Sequence, residues 1–128
     1  MKIAIFENEF EGVRLSFEAA NLIYFDGKLD IQVFPSSQSS NLDLIDDYKV
    51  IFIDIDLSTK SILDGYGLIK KIIEKKHSLR NRIVILTGNN KIRESLNNYG
   101  ILSSDLKVII KPTNYVEISD VITEKISK

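Results

Sequence analysis

The stretch VIFIDIDLSTK, Val50 to Lys60, sets four apolar β-formers ahead of two aspartates that are one isoleucine apart. A run that is apolar at every position from Val50 to Ile53 predicts a parallel strand covered on both faces, with its polar residues collecting at the end. Asp54 then falls at the carboxyl end of the strand, where open α/β sheets place their ligands. Taken alone, the same residues also suit a turn or a helix cap, because aspartate often begins strand-to-helix loops.

Working outward, apolar runs of strand length recur at residues 2–6 (KIAIF), 30–34 (DIQVF), 82–86 (RIVIL) and 107–110 (KVII). Helical spacing lies between them. Phe10, Val13, Phe17, Ala20 and Tyr24 share one face of a first helix. Ile69, Ile72 and Ile73 mark another, opened by Asp64 and Gly65, with Lys75 and Lys76 suited to its carboxyl end. A third is marked by Ile92, Leu96 and Tyr99, opened by Asn89 and Asn90 and stopped by Gly100. Ile118, Val121 and Ile122, with the stem of Lys125, form the last. The segment PSSQSSNLDLIDDY reads as a serine-rich loop followed by a short helix on Leu42, Leu44 and Ile45. Strands alternating with helices predict an α/β fold: a parallel sheet with right-handed crossovers and helices on both faces.

Residues 1–128 are read as one domain, long enough to bury a core without staples. A formal net charge of -1 with 27% charged residues does not favour a direct nucleic-acid surface. The absence of cysteine excludes disulfides, thiolate metal sites and cysteine nucleophiles. The apolar run at the start is too short for a signal peptide or a membrane span, so a cytoplasmic protein without membrane contact is expected.

In a parallel sheet the strand ends share one edge. The first ends in Glu7, Asn8 and Glu9, the third in Asp54 and Asp56, the fourth in Thr87 and Gly88, the fifth in Lys111 and Pro112. Clustered carboxylates repel and call for a divalent cation, and oxygen ligands favour Mg2+ over zinc. Lysine and hydroxyl groups suit phosphate oxygens, and Gly88 leaves room for a phosphoryl group.

FENE after the first strand, FIDID at the third, LTG at the fourth and IKPT at the fifth resemble, in order and spacing, the receiver domains of two-component response regulators. The resemblance runs over essentially the whole chain. It implies a flavodoxin-like fold, a five-stranded parallel sheet of order 2-1-3-4-5, and Asp54 as phosphoacceptor for a histidine kinase, a phosphotransfer protein or a small phosphodonor. It further implies Mg2+ held by Glu7, Asn8, Asp54 and the main-chain carbonyl of Asp56. Thr87 and Lys111 would contact the phosphoryl group, the lysine pairing with Asp54 after a Lys111-Pro112 bond that is typically cis. Such a domain catalyses only its own phosphorylation and dephosphorylation and changes its binding to a downstream protein. That change would fall on the surface near the fourth strand, the following helix and the fifth strand.

The chain also departs from the pattern. Receivers usually carry two aspartates where Glu7 and Asn8 stand, and a neutral amide at Asn8 implies weaker Mg2+ binding. Val108 stands where an aromatic often changes rotamer, so a relay of that kind is not expected in its usual form. Ser58 replaces a usual proline in the long segment DLSTKSILDG, and GILSSDLK lengthens the approach to the fifth strand. Asp56 occupies a position that tunes dephosphorylation in the family.

Two other readings stay open: a pseudo-receiver that binds partners without phosphorylation, and a phosphatase similar to haloacid dehalogenases, with DID as its nucleophile and acid. The position of DID on the third strand, and the absence of an acidic pair after Lys111, weigh against the phosphatase. His77 and the run KKIIEKK read as solvated helix surface. Phe17 and Tyr99 read as core, and Tyr115 lies near the face that partners use.

Overall fold

The computed structural model describes residues 1–57 and 60–127; Ser58 lies outside the described residues. The elements are β1 (Lys2–Phe6), α1 (Arg14–Phe25), β2 (Asp30–Phe34), β3 (Val50–Asp54), α2 (Gly65–Lys75), β4 (Ile83–Thr87), α3 (Ile92–Asn98), β5 (Lys107–Ile110) and α4 (Tyr115–Ile126). All strand pairs are parallel and the order is β2-β1-β3-β4-β5.

The pleat sorts each strand's side chains onto two faces. Phe6, Ile51, Ile53, Ile83 and Ile85 meet Leu68, Ile69 and Ile72 of α2 and Ile92 and Leu96 of α3. Ile3, Ile5, Val50, Phe52, Val84 and Leu86 meet Phe17 and Ala20 of α1 and Ile118, Val121 and Ile122 of α4. Every residue of β3 and β4 is buried, which explains why their sequences are almost uniformly apolar. Phe17 seats its ring edge on Phe52 at a centroid distance of 4.9 Å.

The helix starts follow the sequence chemistry unevenly. Asp64 caps α2, accepting a hydrogen bond from the Gly67 N–H at 2.8 Å. Asn89 does not cap α3 directly; it accepts from the Lys91 N–H at 2.9 Å in a turn just before the helix. Gly100, at φ +75, ends that region in the left-handed conformation that glycine adopts without strain.

Three local expectations are corrected. The segment between β2 and β3 forms 3-10 turns over Ser37–Ser39 and Leu42–Asp47, because Ile45 is the one buried residue of Leu42–Asp47 and one anchor does not sustain an amphipathic α-helix. Tyr24, in the last turn of α1, is 51% exposed and does not join the core face. Tyr99 is 47% exposed: it lies one residue past α3 and stacks on Tyr66 of α2, centroids 4.0 Å apart and planes 6° from parallel. Arg82 precedes β4, its guanidinium donating to the carbonyls of Asp46 (2.6 Å) and Tyr48 (2.9 Å).

The stretch from 101 to 106 is held by arginines. Arg80 donates to the Leu102 carbonyl and forks onto Asp105 at 2.8 to 3.1 Å. Arg93 donates to the carbonyls of Ser103 and Leu106. Among the described residues no helix is long and apolar enough to cross a membrane.

Candidate phosphoacceptor site

Alternation along the strands determines what meets at their carboxyl ends. Glu7 continues the alternation of Ile3 and Ile5, Asp54 that of Val50 and Phe52, and Lys111 that of Ile109, all on the side of α1 and α4. β1 and β3 are neighbours, so Glu7 and Asp54 leave adjacent strands. Lys111 reaches both across the edge: its Nζ lies 3.1 Å from Glu7 Oε2 and 3.6 Å from Asp54 Oδ1. The Lys111-Pro112 peptide bond is cis. The lysine was expected on Asp54, and the structure puts it between the two carboxylates, nearer to Glu7.

Both carboxylates are 2% exposed. Burial pushes the Asp54 carboxyl up to about 6, reinforced by the hydrogen bond and negative charge of Glu7; the Asp56 N–H and Lys111 pull the other way. Burial pulls on Lys111 in the opposite sense, but the Glu7 hydrogen bond and the charges of Asp54 and Glu7 outweigh it and raise the lysine. Two buried carboxylates against one ammonium leave an excess of negative charge.

The surrounding backbone donates where it can. Asp56 N–H donates to Asp54 Oδ1 at 3.0 Å, and Glu9 N–H to Glu7 Oε1 at 3.2 Å. The side chain of Thr87 is buried, and its hydroxyl oxygen accepts from the Asn89 N–H at 3.1 Å. The Thr87 carbonyl accepts from the Lys111 N–H at 2.7 Å, tying the ends of β4 and β5 together. At Gly88 an added Cβ would meet nothing within 4 Å. Asn8, Glu9 and Asp56 are exposed around this buried group.

Glu7, Asp54 and Lys111 therefore meet, the two carboxylates buried and the lysine half-buried, while Thr87 stands at the neighbouring strand end, tied to Lys111 through the main chain, and Asn8 and Asp56 stand at the rim. The donor set is oxygen throughout and carries surplus negative charge, which fits a hard divalent cation. Among the described residues no group of three or more His, Cys, Asp or Glu side chains is gathered for a metal, so any cation here would also draw on the Asn8 amide, a main-chain carbonyl or water.

Two participants escaped the sequence reading. Asn89 supplies the N–H that occupies Thr87, a contact with no sequence signal beyond the spacing of two. Gly65 lets α2 approach the end of β3: a Cβ there would stand 2.5 Å from Ile55 Cα and 2.6 Å from the Asp54 carbonyl oxygen. The glycine after Asp64 was the available clue. His77 is exposed just beyond α2, Tyr115 is exposed at the start of α4, and Val108 is half-buried against the core beneath α2 and α3.

No protein-family model matches this sequence, and no curated protein matches it. Solved structures do. The chain is similar to the receiver domain of NtrX from Brucella abortus, with 21% identity over 98% of each chain and a TM-score of 0.73. It is similar also to the longer NtrX chain from that organism, with 22% identity and a TM-score of 0.73 over 98% of this chain but 26% of that one. A third likeness is to the signal receiver domain of a DNA binding response regulator, merR, from Colwellia psychrerythraea 34H. There identity is 14%, coverage is 100% of this chain and 99% of that one, and the TM-score is 0.74. At these identities the likeness is one of architecture, and the fold of this chain is that of the response regulator receiver domains.

Proposed function

We propose that this chain is a two-component signalling receiver that accepts a phosphoryl group on Asp54. The observation that carries this reading is the Glu7–Lys111–Asp54 cluster at the carboxyl edge of the sheet, its two carboxylates buried, with Thr87 at the adjoining end of β4. An Asp54 carboxylate oxygen would attack phosphorus in line, the donor's phosphorus–nitrogen or phosphorus–oxygen bond breaking as the acyl phosphate forms. Lys111 would move its charge toward the phosphoryl oxygens, as a flexible ammonium can, and Thr87 would give up its Asn89 contact to donate its hydroxyl. Mg2+, held by Glu7, Asp54, Asn8 and the Asp56 carbonyl, would supply the charge neutralisation that the transferring group needs. The donor would be a histidine kinase, a phosphotransfer protein or a small acyl phosphate. Modification would favour a conformer whose surface around β4, α3 and β5 binds a downstream protein.

The second reading, a receiver fold that binds partners unmodified, draws on one observation: Lys111 lies closer to Glu7 than to Asp54. Intact-mass spectrometry after incubation with acetyl phosphate separates the two. A Mg2+-dependent phosphoryl adduct on wild type that is lost in Asp54→Asn is the expected result. No adduct from acetyl phosphate or from kinase-bound phosphohistidine would favour the second.

A further inference from the structure

The segment that leaves Asp54 is fastened at both ends. At its base the Gly65 N–H donates to the Ile55 carbonyl at 3.3 Å, so the excursion from Ile55 to Gly65 starts and finishes at one point. Leu57 is buried, Lys60 and Ile62 are exposed, and among the described residues of the outer half Leu63 is the apolar side chain that packs against the core.

What holds that half is the serine-rich turn after β2. Ser61 Oγ accepts from the Ser37 N–H at 2.8 Å and donates to the Leu63 carbonyl at 2.5 Å. Ser37 Oγ accepts from the Leu63 N–H at 3.0 Å. The Gln38 amide works both ways, donating to the Lys60 carbonyl at 2.7 Å and accepting from the Ile62 N–H at 2.9 Å. Ser37 is 5% exposed, which shields its bonds from competing water. Because β1 lies between β2 and β3, this latch spans the end of the strand that carries Glu7 and Asn8.

We propose that Ser37, Gln38 and Ser61 are positioning residues for the acceptor site. By fixing residues 60–63 they set where the chain returns to Gly65, whose N–H on the Ile55 carbonyl carries the constraint to the end of β3, so that Asp56 keeps its N–H on the acceptor carboxylate and its carbonyl in place for the cation. This rests on the reading of Asp54 as a Mg2+-dependent acceptor. None of the three touches the phosphoryl group or the cation; they act through the backbone.

The test is calorimetric titration of the 128-residue chain with Mg2+ alone, on wild type, Gln38→Ala, Ser61→Ala and Arg80→Ala. Gln38 is exposed, so its variant keeps the core intact, and Arg80→Ala loosens a loop outside the latch as a control for general destabilisation. Partners that orient ligand-bearing groups change metal affinity by about tenfold or more when removed, and about tenfold weaker Mg2+ binding is expected in both latch variants. The control should stay within about twofold of wild type on the same scale. Wild-type affinity in both latch variants, or an equal loss in Arg80→Ala, overturns the positioning role while the acceptor reading stands on the wild-type adduct. A wild type that neither binds Mg2+ nor forms an adduct removes the acceptor reading, and the positioning role with it.

Discussion

Asp54→Asn should make the protein more stable at neutral pH, and the gain should disappear in acid. The Asp54 carboxyl is pushed from an ordinary 3.8 up to about 6, first by burial and then by Glu7. The folded chain thus holds a proton that the unfolded chain has already released. Stability falls as pH rises between those two values, and above about 6 the full penalty is present. A pKa difference of about 2 corresponds to about 3 kcal/mol. Asparagine keeps the shape and carries no charge, so at pH 8 the variant should exceed wild type by up to about 3 kcal/mol. For a chain of this length that is about 10 °C in Tm. Near pH 4, where wild type has recovered its proton, the two should melt together. Thermal unfolding at intervals between pH 4 and 8 measures this. A gain of the same size at every pH, or a loss at pH 8, would refute the reasoning, since either would mean that the buried charge is not what burdens the wild type. Saturating Mg2+ should narrow the gap at pH 8 by neutralising the surplus charge.

Lys111→Met leaves Glu7 and Asp54 buried without a cation and should cost about 3 kcal/mol at pH 8, recovering toward pH 5 as Asp54 takes up a proton; urea unfolding at both pH values reads it. Asn8→Asp adds a charged oxygen at the rim and should tighten Mg2+ binding about tenfold in calorimetry, while unchanged affinity would remove Asn8 from the cation site. Gly65→Ala should cost about 2 kcal/mol, because its methyl collides with the backbone of Asp54 and Ile55 and α2 must back away. Gly88→Ala meets open space and should be near neutral in the same denaturation experiment.

The central strands were legible because burial on both faces admits only apolar residues, and that same rule marks Asp54 as the point where the strand ends. The sheet order followed from the resemblance carried by the strand-end residues. Side-chain registry was less accessible. Tyr24 and Tyr99 fit an apolar helical spacing, yet each sits at a helix end where the spacing no longer points to the sheet. The turn after β2 escaped for a different reason: its serines bond to residues 24 to 26 positions away, and small polar side chains carry no periodic signal for such distant partners. Lys111 could be placed at the strand-end edge from sequence, but its division between Glu7 and Asp54 is a matter of side-chain reach that the sequence does not encode.

Arg80 and Arg93 grip the 101–106 stretch through the Asp105 carboxylate and through the carbonyl oxygens of Leu102, Ser103 and Leu106, the latter being atoms that any amino acid would present there. The path of that stretch is therefore insulated from its spelling where the side chain faces solvent. Leu102, 74% exposed, can be rewritten to suit a new neighbour while the chain keeps its course into β5. The two arginines, Asp105 and the buried Ile101 and Leu106 are the costly letters, and a library that varies Leu102 while sparing them should retain folded members in most of its sequences.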